Sequence, residues 1–298
     1  MTPPHEVLAR ARQCDPSVLG SDRASVASAV RHFAQAGDAT SALELVALTW
    51  RAWLTYDELD EGSSLAAAAL NAAGADAVVP WKARALYADG LYAFRAGEAD
   101  RSRSRNAEAL KVARETADLR GECDALTGLA RVALRMGDYE EVVRLARQAR
   151  ERAQSFGDRA AEASPLHLEA AGVRLQRDYA TARELYLSSL RLNTELGNAN
   201  VVAMEQHNLG WVELHLGNLA AAEARFRERD SLASADAYGA AWSNLNWAGL
   251  AAARGHWEDA RRRLAVGKQE LEKLSTVLDP DDQFELDWLV AQVPSPKC

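Results

Sequence analysis

Two histidines, His167 and His207, stand 40 residues apart. On neighbouring helices packed roughly 10 Å apart, such a pair is able to meet one ion. A zinc site needs a third ligand, and the upstream candidates Cys123 and Asp124 follow no zinc-signature spacing. Packing, or hydrogen bonding to a bound molecule, is the better use of these imidazoles, and no metal is expected. Other chemistries lack their motifs. There is no Gly-x-Ser-x-Gly elbow, no His-Glu-x-x-His helix and no Cys–His signature for a nucleophile. The only Gly-Lys pair, Gly267-Lys268, is followed by Gln269, so no phosphate loop is present. Cys14, Cys123 and Cys298 are an odd number and far apart, which argues against a disulfide framework. The chain is expected to be no enzyme and to need no cofactor.

Composition narrows the partners. The 298 residues carry a net charge of −8, with 48% hydrophobic and 26% charged residues, the balance of a folded globular chain. A net negative protein is a poor general ligand for nucleic-acid backbones. The arginine runs at 101–105 and 261–263 have acidic neighbours and read as solvated helix faces. Neither a signal-peptide core nor a run of about 18 apolar residues is present. A cytoplasmic location without a membrane span is expected. Arginine outnumbers lysine 30 to 5, a bias that points to a GC-rich bacterial source.

The elements that must position these residues come from a repeat. Asp57, Gly97, Gly137, Arg177, Gly217 and Gly255 follow one another at 40, 40, 40, 40 and 38 residues, a period of solenoid size. Seven residues before each stand Trp50, Gly90, Ala130, Ala170, Gly210 and Ala248. Five residues after each stand Gly62, Ser102, Val142, Ala182, Ala222 and Ala260. Nearly all are small, as two helices require where they cross at the short end of roughly 8–10 Å. Each unit is therefore a helical hairpin pinched at two points. Its turn is closed by glycine in the left-handed conformation, and Asp138, Asn218 or His256 begins the second helix. Pro80 and Ser164-Pro165 read as starts of first helices. Isoleucine is absent and no strand alternation appears.

Helices are expected near 22–36, 40–54, 59–73, 80–96, 99–118, 121–136, 139–157, 160–176, 179–196, 200–216, 219–232, 238–254, 257–277 and 282–292. The break at Leu278-Asp279-Pro280 isolates the last of them, which reads as a cover for the open end of the stack. The expected fold is all-α, a right-handed α-solenoid of helical hairpins with a C-terminal capping helix. It divides into an N-terminal helical segment at 1–38, six repeats at 39–277, and a cap and tail at 278–298.

The stretches Asn208-Leu209-Gly210, Gly217-Asn218, Ala222 and Phe226, and likewise Leu129-Ala130 and Gly137-Asp138-Tyr139, resemble the tetratricopeptide repeat. With a period near 40, the chain is similar to the longer variety found behind the nucleotide-binding module of bacterial signalling ATPases and large LuxR-type regulators. Residues 20–293 carry the likeness, while the phosphate loop and any helix-turn-helix reader are missing.

The resemblance implies that the first helices line a groove, with inward residues at fixed offsets before each turn. In the first half these are Arg84, Tyr87, Arg131 and Arg135. Further on they are His167, Arg174, His207, Asn208, Trp211, His215, Trp242 and Asn246. Such a track suits carboxylates, peptide backbone or a ring-bearing ligand. Asp89 and Glu169 stand where the family prefers leucine. A carboxylate in that seam is an acid or base of raised pKa, or it is tied to a neighbouring Arg or Trp or turned to solvent; the second reading is preferred. Trp50, Trp53, Trp81 and Trp257 are expected to fill gaps between repeats. The function implied is a scaffold for a protein or peptide, acidic in character, in bacterial signalling or transcription regulation. A small-molecule (inducer) sensor using the same groove is the alternative. An enzyme on a helical solenoid, built on the histidine pair and the two carboxylates, is a third.

Overall fold

A computed structural model describes residues 2–13, 22–74, 79, 81–232, 237–274 and 278–294. Among them the secondary structure is helical throughout, with no strand. The helices are α1 (Pro4–Gln13), α2 (Arg23–Gln35), α3 (Ala39–Thr55), α4 (Leu59–Ala73), α5 (Lys82–Arg95), α6 (Ala99–Glu115), α7 (Leu119–Arg135) and α8 (Tyr139–Ser155). They continue as α9 (Arg159–Leu175), α10 (Tyr179–Glu195), α11 (Ala199–His215), α12 (Leu219–Leu232), α13 (Ala237–Ala253), α14 (Trp257–Leu274) and α15 (Pro280–Gln292). Every expected helix is present. The unexpected one, α1, buries Val7, Leu8 and Ala11, one apolar face too short to show a period. Pro80, Cys14 and Cys298 lie outside the described residues. Pro165 does not start a helix: it lies inside α9, buried, because the turn that opens this helix closes earlier, at Gly157.

All six turn positions of the repeat adopt positive φ, from 56° at Asp57 to 82° at Gly97. A second set does so half a period away, at Gly37, Ala117, Gly157 and Gly197. The hydrogen bonds show why. At Gly217 the backbone N–H donates to Leu214 O at 3.0 Å, and Asn218 N–H donates to Glu213 O at 2.9 Å, the paired bonds of a Schellman close. Aspartates then start the next helix: Asp38, Asp138 and Asp178 each accept from the backbone N–H three residues on, at 3.1 Å. Asn218 does not cap; its amide donates to Glu213 at 2.8 Å.

The pinch points are buried as expected. Ala130, Ala170, Ala182, Ala222, Ala248 and Ala260 are fully inaccessible. A Cβ on Gly90 would come within 2.6 Å of the Asn106 amide, and one on Gly210 would run into the Phe226 ring.

The chain forms two compact units. The first comprises residues 1–132 and 148–158, the second 133–147 and 159–298. In the first, Phe33, Leu43, Leu65, Leu86 and Tyr92 anchor the core. There α3 touches α4 and α5, and α5 packs on α6. In the second, Tyr186 and Leu209 form one cluster, and Trp211, Phe226, Trp242, Leu245 and Leu289 another. There α11 packs on α10, α12 and α13, and α13 on α14. No helix among the described residues is long and apolar enough to cross a membrane.

Candidate functional site

In the first unit, α5 contributes Arg84 and Tyr87, and α7 contributes Arg131. The Arg131 guanidinium donates to the Tyr87 hydroxyl at 3.1 Å, and the Trp50 ring meets Tyr87 edge-on at 5.6 Å. Arg84 lies over Trp81, 4.9 Å from the ring centre. Its Nε is enclosed and makes no hydrogen bond to the protein. Burial pulls the Arg84 guanidinium below its ordinary range, against the opposing charge of Asp124. Burial likewise pushes the Asp124 carboxyl up, against the pull of Arg120, Arg84 and Arg51. Cys123 is buried, and burial pushes its thiol up to about 12, away from the thiolate form that reacts and binds metals.

In the second unit the expected track is present on α9, α11 and α13, but it is not an open surface. Arg174, Trp211 and Asn246 are fully buried, and Asn208, Trp242 and His207 nearly so. Trp211 donates its indole N–H to Asn246 at 2.8 Å, so both carry packing. What covers this face is α15. Arg174 donates to Asp281 at 3.1 Å and stands 3.2 Å from Glu285. Glu285 lies 2.7 Å from the His215 ring nitrogen, Asp282 lies 3.6 Å from His207, and Asp279 lies 3.9 Å from Arg135. Tyr238 donates to Asp282. Tyr179 stacks on His215 at 4.5 Å, and Trp288 meets it edge-on at 4.9 Å. Helix–helix contacts of α15 run to α13 and to α9.

The two histidines do not converge. His167 pairs with Glu205 at 3.0 Å, which also accepts from Ser189 at 2.5 Å, whereas His207 faces Asp282. Among the described residues no group of three His, Cys, Asp or Glu side chains is placed to hold a metal. Asp89 is buried between Arg101 at 2.5 Å, Arg105 at 2.8 Å and Ser63 at 3.0 Å, and Glu169 accepts from Arg147 at 3.1 Å. These carboxylates are paired, and two members of the first arginine run are clamps rather than a freely solvated face. Trp50 and Trp53 are buried as expected. Trp257 is not: it is 40% exposed.

Neither a protein-family model nor a curated protein sequence matches the chain. Solved structures do. The Rap protein complexed with competence and sporulation factor superposes with a TM-score of 0.62 at 14% identity, over 96% of this chain and 80% of that one. NprR in complex with its cognate peptide NprX gives 0.60 at 15% identity, over 83% and 70%. A tetratricopeptide repeat protein from Parabacteroides merdae ATCC 43184 gives 0.54 at 11% identity, over 96% and 98%. The fold is tetratricopeptide-like. In that fold's terms α9, α11 and α13 are first helices of successive repeats, and α15 lies across the face they share.

The carboxylates of α15 escaped the sequence reading, as did Glu205. The signal for the former was present in Asp279, Asp281, Asp282 and Glu285, an acidic cluster ahead of Trp288 that complements the arginines and histidines of the track.

Proposed function

We propose that the chain is a non-enzymatic repeat scaffold that binds a protein or peptide on its first-helix faces, in a bacterial regulatory setting in the cytoplasm. One observation carries the reading: the track Arg174–His207–His215 already holds a peptide segment, the chain's own α15, through carboxylates and aromatic rings. The tetratricopeptide-like fold and the peptide complexes solved for Rap and NprR support it. In the first unit, Arg84 and Arg131 with Tyr87 offer the same chemistry, and an acidic partner follows from those cations.

The test is a peptide-library screen on the full chain and on its Arg84→Ala/Arg131→Ala variant, with free aromatic carboxylic acids as a separate arm for an inducer-like ligand. Selected acidic peptides are expected to lose tenfold or more in affinity on the variant, about 1.4 kcal/mol. Peptides that bind both proteins equally would remove Arg84 and Arg131 from the site. Trp211→Ala is unsuitable, since Trp211 is wholly buried and its loss mixes binding with unfolding.

A further inference from the structure

A helix that belongs permanently to a fold is ordinarily held by an apolar stripe. Helix α15 is held differently. Only Glu285 and Leu289 are buried in it, and one of these two is a carboxylate. Of its other apolar groups, Leu286 and Trp288 are partly buried against the second-unit core, Phe284 is half-buried beside His215 and Arg177, and Val290 is exposed. The firm contacts are ionic, from Asp281 and Glu285 to Arg174 and from Glu285 to His215. They are also imperfect. Arg174 Nε and Tyr186 Oη are enclosed yet make no hydrogen bond to the protein, and Arg174 Nη1 faces Glu285 Oε1 at 3.2 Å as an ion pair without hydrogen-bond geometry. Buried polar groups left half satisfied weaken the assembly that contains them. A guest that completes these bonds therefore holds the face more tightly than α15 does.

We propose that α15 is an exchangeable occupant, and that the partner replacing it is an acidic, aromatic-bearing helical peptide. The claim rests on the peptide-binding reading above and names the partner's chemistry. The pattern is set by geometry. Asp281 and Glu285 are one helical turn apart and share a face, Asp282 adds the contact to His207, and Trp288 and Leu289 follow on the next turn. The acidic residues belong at the N-terminal end, where the helix dipole favours them. The partner is thus a helix opening with two adjacent carboxylates, a third one turn later, and an aromatic–aliphatic pair a turn beyond. Because α15 is tethered, a free peptide competes against an effective concentration in the millimolar range, so capture by the unaltered chain is weak until α15 is loosened.

The probe is a fluorescent synthetic peptide with the sequence of residues 278–294, read by anisotropy against full-length protein. Binding to the Asp281→Asn/Glu285→Gln variant is expected to be at least tenfold tighter than to the unaltered chain. A scrambled peptide of equal charge is expected not to bind. Should the variant fold poorly, hydrogen exchange on the unaltered protein decides: excess peptide should deprotect the amides of α15 while those of α13 stay protected. Equal affinity for both proteins, equal binding of the scrambled peptide, or α15 amides that exchange only together with α13 and α14 would each overturn the proposal. Library peptides that remain sensitive to Arg84→Ala/Arg131→Ala would then leave the scaffold reading standing without this partner.

Discussion

At the scale of single residues, His167 shows how a polar track becomes part of a core. Its imidazole is pulled down by burial but pushed up more strongly by the charge and hydrogen bond of Glu205 and by Asp281, so its net shift is upward from the ordinary value. Arg174 opposes the rise and Tyr186 packs beside the ring. A histidine raised on folding adds stability that is complete below its unfolded value, about 6.5, and is lost as pH climbs through the folded value. A charge-assisted hydrogen bond of this kind contributes roughly 1.5–3 kcal/mol. His167→Gln should therefore lower the melting temperature more at pH 6 than at pH 9. A gap of the same size at both pH values would show that the imidazole is neutral throughout. The residues of this face were named from the inward offsets that the tetratricopeptide resemblance implies. Their partners were not, since Arg174 meets Asp281 across 107 residues and His215 meets Glu285 across 70. Local periodicity holds no information about such pairs. For the same reason the burial of Glu205 and Gln206, beside His207 and Asn208 in α11, leaves no trace in the local pattern.

At the scale of elements, the 40-residue period read from the sequence is that of a two-helix hairpin, and each hairpin has two turns. The residues at Asp57, Gly97, Gly137, Arg177, Gly217 and Gly255 close one kind of turn, and Gly37, Ala117, Gly157 and Gly197 close the other. Helix and turn together thus recur about every 20 residues. Glycine stands at this second turn at 37, 157 and 197, and alanine at 117. Ala117 stands at φ 53° on an exposed turn, between Ala117 N–H→Arg114 O and Asp118 N–H→Ala113 O bonds. The left-handed conformation costs a residue with a Cβ roughly 1–2 kcal/mol, while the extra freedom of glycine in the unfolded chain takes back about 0.4–1 kcal/mol. Ala117→Gly should raise the urea midpoint, by up to about 1 kcal/mol of stability. A lower midpoint would mean that this turn is relaxed around alanine. Helix bounds were readable to within about three residues because the pinch residues and turn glycines mark both ends. Pro165 misled because a proline in an early turn of a helix leaves the same trace in sequence as one at its first position.

At the scale of the whole molecule, six equal repeats in sequence do not imply equal cohesion. The chain clusters into two compact units whose division runs through α7 and α8, a boundary that repeat spacing does not reveal, since the period is the same on both sides of it. In repeat proteins each hairpin is stabilised by its neighbours and little else, so damage should stay local. Gly210 tests this. It lies at the crossing of α11 and α12, where an added Cβ meets the Phe226 ring, itself wholly buried and edge-on to Trp211 at 6.0 Å. The ring has nowhere to go, so Gly210→Leu should overpack the crossing at a cost of roughly 1–3 kcal/mol. Native-state hydrogen exchange should show the loss first in α11 and α12, then in α10 and α13, which pack on α11, while α3 and α5 keep their protection. The mirror variant, Gly62→Leu, where a Cβ would fall 2.8 Å from the Tyr92 ring and 2.9 Å from Trp53, should give the opposite pattern, with α3, α4 and α5 exposed and α11 to α14 protected. Uniform loss of protection in either variant would show that the chain unfolds as one block, and that the nearest-neighbour logic of its repeats does not govern its stability.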